Sequence, residues 1–329
     1  ATEAAAMAQD YQASPETANE QDYPDVFLIL SESFYDFDLV TDLQADQEIM
    51  QVTKNLPNSI YGHTISPHVG GGTNSSEYEM LSSNSLMLMP SITPFNWLNL
   101  HKANSLVSNL KDLGYATLAA HPYTNSNYRR DSAWLTLGFD ETHFQDDFPT
   151  KETYGSRPYQ TDSATYRDLE GLYEAMPEDQ PRFVFLVSIQ SHGDYDMNPP
   201  EEDIVHAATD YGEYDSIMDE YLSNIYMTDR AFGELTEYLT EQYEKTGRKG
   251  IVAMAGDPEN SSGSQYYITL AASERLNGNF TVIGKVIDGW DEIERLEHVE
   301  VEEAIEPQSG FVYHRPVKTE MITKVRCIK

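Results

Sequence analysis

Short apolar runs alternate with amphipathic segments along most of the chain. Continuous apolar runs of this length are typical of central parallel strands, which are buried on both faces. The pattern predicts such strands at residues 25–31, 115–120, 182–188 and 250–255, with a further strand near 59–65. Helical spacing of apolar residues predicts helices at 43–54, 105–113, 163–176 and 214–245. The repeated order of helix, strand and polar residue at the strand end predicts a doubly wound α/β sheet with helices on both faces.

The pattern changes after residue 250. Runs of β-like character, separated by turn residues, follow at 265–270, 281–286 and 321–328, with a short helix predicted at 290–296. Successive strands joined by short turns predict a smaller, mainly β unit. We therefore expect a flexible lead-in at 1–22, an α/β domain at 23–249 and a β segment at 250–329.

The composition excludes some partners. The 329 residues are 40% hydrophobic, which is enough to fill a sizeable core. The 55 acidic and 21 basic residues give a net charge of -34, which repels nucleic acid, so we expect no nucleic-acid partner. No intrachain disulfide can form, because Cys327 is the one cysteine of the chain.

The chain contains no obvious membrane or export signal. No run of about 18 apolar residues appears, so we expect no transmembrane segment in this chain. The N-terminus lacks the charged and then apolar order of a signal peptide. Residues 1–22 have the composition of a flexible lead-in, which could join a membrane segment if the protein is exported.

The first candidate for a functional site is the glycine-rich stretch 69–81. Three glycines allow close backbone approach to a ligand, and Thr73 then begins a run with helix-forming spacing. A hydroxyl at a helix N-terminus is in a setting that favours nucleophilic attack or phosphate binding, although a solvated loop is the alternative. Glu32, His121 and His192 each follow a predicted strand, where ligands gather in open α/β sheets. The alternatives are that Glu32 caps a helix and that His121 and His192 are structural residues held by hydrogen bonds.

Several landmarks agree in order with one known family. They are Ser31-Glu32-Ser33-Phe34, Gly71 to Tyr78, His121 followed by Tyr128-Arg129-Arg130-Asp131, and Ser191-His192. As an ordered set, over about residues 23–257, they resemble the extracellular domain of lipoteichoic acid synthases. These are phosphoglycerol transferases of the sulfatase and alkaline phosphatase superfamily. The resemblance implies an enzyme at the cell surface of a bacterium, with a phosphatidylglycerol headgroup as its substrate.

The same resemblance implies a role for each matching residue. Thr73 would be the nucleophile that takes up glycerophosphate, and a divalent metal would be bound by Glu32, Thr73 and Asp257. Manganese is the metal expected, with magnesium or zinc as alternatives; oxygen ligands suit a hard cation. Arg130 would hold the phosphate, His121 and His192 would bind the glycerophosphate or act on a leaving oxygen, and Tyr128 would offer an aromatic wall to the substrate. In one respect the sequence departs from the family, because Pro258 stands where a metal-binding histidine is expected after Asp257.

From residue 250 onwards the chain resembles the C-terminal half of a cyclophilin, a peptidyl-prolyl isomerase. The motif Gly263-Ser264-Gln265-Tyr266-Tyr267-Ile268 is the most specific part of this match. The resemblance implies a pocket for proline-containing peptides lined by Ala255, Gln265, Tyr267, Leu276 and Phe280. No counterpart of the cyclophilin N-terminal half precedes residue 250, and residues 250–257 fit a strand of either family. Isomerase activity, peptide binding without isomerisation and an inactive fusion are therefore the alternatives to transferase function.

Overall fold

The computed structural model describes residues 23–37, 43–59, 61–62, 71–86, 92–248, 250–255, 301–305 and 312–316. The chain divides into two compact units, Ala18–Gln265 in one and Ala1–Thr17 with Tyr266–Lys329 in the other. Among the described residues, no helix is both long and apolar enough to cross a bilayer.

The larger unit is built on a parallel sheet. Its five strands are β1 (Asp25–Leu30), β2 (Ala116–Ala120), β3 (Glu141–His143), β4 (Arg182–Val187) and β5 (Gly250–Ala255). Their spatial order is β3-β2-β4-β1-β5, and all four pairings are parallel. In the smaller unit, β6 (Val301–Ile305) and β7 (Val312–Pro316) form an antiparallel pair.

The strand register places several polar residues at one edge of the sheet. Leu30 lies opposite both Val187 and Ala255, so the neighbouring strands β4, β1 and β5 end level with one another. The segments that follow these strands therefore meet at the carboxyl edge, where open α/β sheets bind ligands. Since β5 pairs with β1, residues 250–255 belong to this α/β sheet, and the boundary predicted before residue 250 immediately precedes one of its strands.

Seven α-helices lie among the described residues. They are α1 (Gln51–Asn55), α2 (Thr73–Ser82), α3 (Pro94–Trp97), α4 (Leu106–Asp112), α5 (Arg130–Leu137), α6 (Asp162–Ala175) and α7 (Asp215–Thr246). The helices predicted at 105–113, 163–176 and 214–245 are confirmed to within two residues as α4, α6 and α7. The four strands predicted at 25–31, 115–120, 182–188 and 250–255 are confirmed to the same precision.

The helix predicted at 43–54 is wrong over most of its length. Ala45 instead forms an antiparallel bridge with Ala207, and the residues from there to Met50 lie mostly in bends and turns. Helix α1 begins only at Gln51, where the Asp229 carboxylate accepts hydrogen bonds from the amides of Val52 and Thr53, both at 2.8 Å. A distant side chain thus determines where this helix begins.

Two further groups of predicted elements have a different outcome. Of the strand predicted near 59–65, Ser59, Tyr61 and Gly62 are described, and none of them lies in a strand. The elements predicted at 265–270, 281–286, 290–296 and 321–328 lie outside the described residues.

Hydrophobic cores cover both faces of the sheet. Alternate residues of β4 belong to different cores: Phe183 and Phe185 pack with Trp134 on one face, whereas Val184 and Leu186 pack on the other. The second core includes Leu169 of α6 and Phe232 and Leu235 of α7. Burial of each such side chain contributes about 1.5–3 kcal/mol relative to exposure. The predicted α/β fold, with helices on both faces of a parallel sheet, is confirmed.

Candidate active site

Thr73 is the first residue of α2 and faces the carboxyl edge of the sheet. Gly71 and Gly72 precede it with φ angles of +75° and +77°, in the left-handed region that favours glycine. This backbone brings the threonine to the N-terminus of a ten-residue helix, where unpaired N–H groups favour negative charge. Its hydroxyl donates a hydrogen bond to Glu32, with Oγ1 lying 2.7 Å from Oε1. The predicted helix start at Thr73 is confirmed.

Glu32 follows β1 and occupies the centre of this group. Its side chain is 12% exposed, and burial raises its pKa above the ordinary carboxyl value despite the opposing effects of His192 and of the Thr73 hydrogen bond. His192 Nε2 lies 3.8 Å from Glu32 Oε1, the same oxygen that accepts the Thr73 hydrogen bond. Three side chains from three separated segments therefore converge on one point.

Arg130 begins α5 and is anchored beneath this point. Its Nε and Nη2 donate to Glu77 Oε1 at 2.9 and 2.7 Å, and Trp134 Nε1 donates to the other carboxylate oxygen at 3.0 Å. The arginine and glutamate side chains are 3% and 0% exposed. Burial alone would lower the pKa of Arg130, but the charge and hydrogen bonds of Glu77 raise it overall. The arginine is thus a fixed cation whose charge also acts on Glu32.

Tyr128 lies beside this arginine in an unusual backbone conformation. The guanidinium carbon of Arg130 is 5.4 Å from the centre of the Tyr128 ring. Tyr128 and Arg129 have φ angles of +56° and +58°, which are uncommon for residues with a side chain. Strain of this kind persists only where the surroundings impose it, and it clusters at functional sites.

His121 follows β2 and is almost fully enclosed, with 1% of its surface exposed. Its Nδ1 lies 2.8 Å from the Val187 carbonyl oxygen, which can only accept, so Nδ1 carries the proton. Burial and then the charge of Arg130 lower the pKa of His121 well below its ordinary value. The imidazole is therefore neutral, with Nε2 as its acceptor nitrogen.

An aromatic edge beside His192 was not predicted from the sequence. The Tyr159 ring lies 5.2 Å from the His192 ring between centres, and Tyr123 lies 5.8 Å from Tyr159. Both tyrosines are half-buried, whereas His192 is exposed. No local motif marks these tyrosines among the 22 of the chain, because only the tertiary fold brings them to the site.

The described residues supply part of a donor set for a divalent metal. Glu32 and Thr73 offer a carboxylate and a hydroxyl oxygen 2.7 Å apart, which suit a hard cation. A bound cation would stabilise the ionised form of Glu32, whose pKa is raised by burial. Within the described part of the chain, no group of three or more His, Cys, Asp or Glu side chains is arranged to hold a metal. Asp257, the third predicted ligand, lies outside the described residues.

The predicted proline pocket also lies beyond what the structure describes. Ala255 ends β5, but its side chain is not among those described. The other four predicted pocket residues, Gln265, Tyr267, Leu276 and Phe280, lie outside the described residues.

Two solved structures share this fold. The Streptococcus pyogenes phosphoglycerol transferase GacH, in complex with sn-glycerol-1-phosphate, has a TM-score of 0.62 at 22% identity, covering 79% of this chain and 69% of its own. The lipoteichoic acid synthase LtaP from Listeria monocytogenes has a TM-score of 0.57 at 19% identity, covering 78% of this chain and 61% of its own. At these identities the similarity shows a shared fold.

Sequence relatives match different parts of the chain. A Rhizobium meliloti (strain 1021) protein named "Putative cyclic beta-1,2-glucan modification protein" is 24% identical over 236 residues, which are 71% of this chain and 35% of that protein. Human "Peptidyl-prolyl cis-trans isomerase-like 3" is 38% identical over 72 residues, 22% of this chain and 45% of the isomerase. The chain thus spans less than half the length of either relative. The model of the Sulfatase family matches residues 24–271, and the chain accordingly belongs to the sulfatase family.

Proposed function

We propose that this chain is a phosphoglycerol transferase that uses Thr73 to move glycerophosphate from a phosphatidylglycerol headgroup to an acceptor hydroxyl, at the outer surface of a bacterium. The observation that carries the proposal is the contact between Thr73 and Glu32 at the N-terminus of α2. Family membership and the fold shared with a phosphoglycerol transferase and a lipoteichoic acid synthase support it. The same fold serves many phosphoesters and sulfate esters, so the substrate is part of the proposal.

In the first half of the reaction, Thr73 Oγ1 attacks phosphorus and the bond from phosphorus to the diacylglycerol oxygen breaks. Glu32 receives the threonine proton along the existing hydrogen bond. His192, whose Nε2 lies 3.8 Å from the same carboxylate oxygen, would donate a proton to the departing oxygen. In the second half the acceptor hydroxyl attacks phosphorus, the bond to Thr73 breaks, and the proton transfers run in reverse.

Two buried residues are suited to hold the glycerophosphate group through both halves, Arg130 at the phosphate and His121 at the glycerol. Arg130 keeps its charge at every ordinary pH, and Glu77 fixes its Nε and Nη2, which leaves Nη1 as the donor for a phosphate oxygen. His121 is neutral and presents Nε2 as an acceptor, which suits a hydroxyl of the glycerol rather than an anionic oxygen. Tyr128 would cover the guanidinium and limit access of water.

A divalent cation, manganese in the first instance, would be held by Glu32 and Thr73 with Asp257 as a further ligand. When bound, it would lower the pKa of the threonine hydroxyl and neutralise charge on the transferring phosphoryl group. We expect manganese to bind the wild type more tightly than Glu32→Gln in a direct measurement of metal affinity, and equal affinities would count against Glu32 as a ligand.

The test is release of diacylglycerol from phosphatidylglycerol vesicles, with and without manganese. We expect metal-dependent release that falls about 10³-fold or more in Thr73→Ala, because the nucleophile is removed, and that partly survives in Thr73→Ser. Thr240→Ala, at an exposed threonine of α7, serves as the matched control and should retain wild-type activity. Equal activity in Thr73→Ala and wild type would refute the proposal.

A second candidate function rests on the 38% identity to an isomerase over 72 residues. In this proposal, the segment that resembles a cyclophilin would hold a proline-containing peptide. The match covers 45% of the isomerase, so we propose binding rather than efficient isomerisation. Titration with a proline peptide should perturb the amide signals of Gln265 and Tyr267, and an unchanged spectrum at saturating peptide would contradict this candidate.

A further inference from the structure

A second buried ion pair lies behind the segment that carries His192. Arg157, whose side chain is 1% exposed, pairs through Nη1 with Glu220 of α7. The same nitrogen donates to the Asp194 carbonyl at 2.9 Å, and Nη2 donates to the carbonyls of His192 and Gln190. One guanidinium therefore holds three main-chain oxygens on both sides of the histidine.

Glu220 extends this arrangement to the far end of the same segment. Its side chain is 1% exposed, and its second oxygen accepts hydrogen bonds from the amides of Met197 and Asn198 at 2.6 and 2.8 Å. Asn198 in turn accepts from the Ser156 amide at 2.8 Å, beside Arg157 in sequence. The segment 190–198 is thus tied at its start, middle and end to one pair of charges.

Aromatic rings connect the same arginine to the His192 side chain. The Arg157 guanidinium carbon lies 5.5 Å from the Tyr159 ring centre and 5.4 Å from that of Tyr195. Tyr159 packs against the His192 ring and donates a hydrogen bond from Oη to the Gly193 carbonyl at 3.1 Å. Both the backbone of His192 and the ring beside it therefore depend on Arg157.

A buried ion pair is weak evidence for a gain in stability, because desolvation of the two charges opposes their attraction. What this pair does instead is specify one conformation of a polar segment that would otherwise expose several unpaired carbonyl and amide groups. We propose that Arg157 and Glu220 are positioning residues, which hold the His192 imidazole at the distance from Glu32 and Thr73 that phosphoryl transfer requires. The catalytic consequence rests on the proposed function, whereas the positioning itself does not.

The catalytic test is a double-mutant cycle between Arg157→Lys and His192→Ala. Lysine keeps the charge but replaces a planar fork of donors with a single ammonium group, so it cannot hold all three carbonyls and Glu220. We expect Arg157→Lys to lower kcat about 10- to 100-fold with a smaller change in KM, since displacement of a reacting group by about 1 Å has an effect of this size. In the His192→Ala background the same substitution should have little further effect.

Arg182→Lys is the matched control for stability. Arg182 is also buried and donates to main-chain carbonyls, those of Met176 and Pro177, but it begins β4 and so lies at the opposite edge of the sheet. We expect this control to lower thermal stability and to leave kcat unchanged. If Arg157→Lys lowers kcat by the same factor with and without His192, or leaves kcat unchanged in a folded protein, the proposal is overturned.

A spectroscopic measurement separates failure of the positioning proposal from failure of the proposed function. In protein labelled at histidine, the His192 ring signals, assigned by their loss in His192→Ala, depend on the position of the Tyr159 ring. They should shift in Arg157→Lys and in Glu220→Gln, which removes one charge of the pair at equal volume, and stay in place in Arg182→Lys. Unchanged signals in both test variants would overturn the positioning proposal, whether or not the wild type transfers glycerophosphate.

Discussion

Replacement of Glu77 by glutamine should strongly destabilise the α/β domain. The carboxylate compensates the charge of Arg130, and both side chains are at most 3% exposed. In the variant, a glutamine that turns its carbonyl toward Arg130 directs its amino group at the Trp134 N–H, and the opposite orientation leaves Arg130 without an acceptor. Removal of one partner of a buried pair costs about 3–5 kcal/mol, a large part of the stability of a typical domain.

The magnitude can be read as a change in melting temperature. For a domain of this size, about 1 kcal/mol corresponds to about 2–4 °C, so a loss of about 4 kcal/mol predicts a fall of about 12 °C. The assay is thermal unfolding followed by circular dichroism at several scan rates. Glu152→Gln provides the matched control, because Glu152 pairs with Arg167 at 55% and 51% exposure, and loss of an exposed pair changes stability by less than about 1 kcal/mol.

A melting temperature of Glu77→Gln within about 3 °C of the wild type would contradict this prediction. Such a result would mean that Arg130 finds water or another acceptor when Glu77 loses its charge. It would also remove the argument that Arg130 is a pre-oriented cation for phosphate, because that argument depends on its fixed attachment to Glu77.

Two other substitutions test separate parts of the fold. Asp229→Ala removes the three hydrogen bonds that Asp229 accepts from the Val52 amide and from the amide and hydroxyl of Thr53. We expect the free energy of unfolding to fall by about 2 kcal/mol and hydrogen exchange at both amides to become faster. Unchanged exchange would show that α1 does not need this cap. Burial raises the pKa of Asp162 to about 6 from 3.8, so the folded state binds more protons than the unfolded state between these values and stability falls as pH rises from about 4 to 6. In Asp162→Asn this fall should disappear. The difference in unfolding free energy between the variant and the wild type, measured by urea unfolding, should therefore change by about 3 kcal/mol from pH 4 to pH 7. Parallel pH profiles of the two proteins would contradict the prediction.

The local hydrophobic pattern was sufficient to predict those helices and strands whose conformation is not changed by pairing with a distant segment. Strands β1, β2 and β4 are continuous apolar runs because both faces are covered, and that signal is visible in any short window. Helix α7 repeats its apolar residues with a helical period over 32 residues, which no strand can accommodate. The failure at 43–50 has the opposite cause, because an amphipathic pattern was overridden by pairing of Ala45 with Ala207.

In the candidate site, too, some features are visible in the local sequence and others depend on contacts between distant residues. The positions of Thr73 and Glu32 in the fold were predictable because a helix start and a strand end are local features, and the parallel topology brings such features to one edge. Glu77 looks like an ordinary helix acid in the sequence, and its role depends on Arg130, 53 residues later. Arg157 and Glu220 are 63 residues apart and belong to no motif, so only the folded chain shows that they support the His192 segment.

Thr73 should carry covalently attached glycerophosphate when no acceptor hydroxyl is present. The protein would be incubated with manganese and phosphatidylglycerol in the absence of an acceptor, quenched in acid and digested for peptide mass spectrometry. We expect one added glycerophosphate on the peptide that contains Thr73, with none in Thr73→Ala. An adduct on another residue, or turnover of phosphatidylglycerol by Thr73→Ala at the wild-type rate, would contradict it.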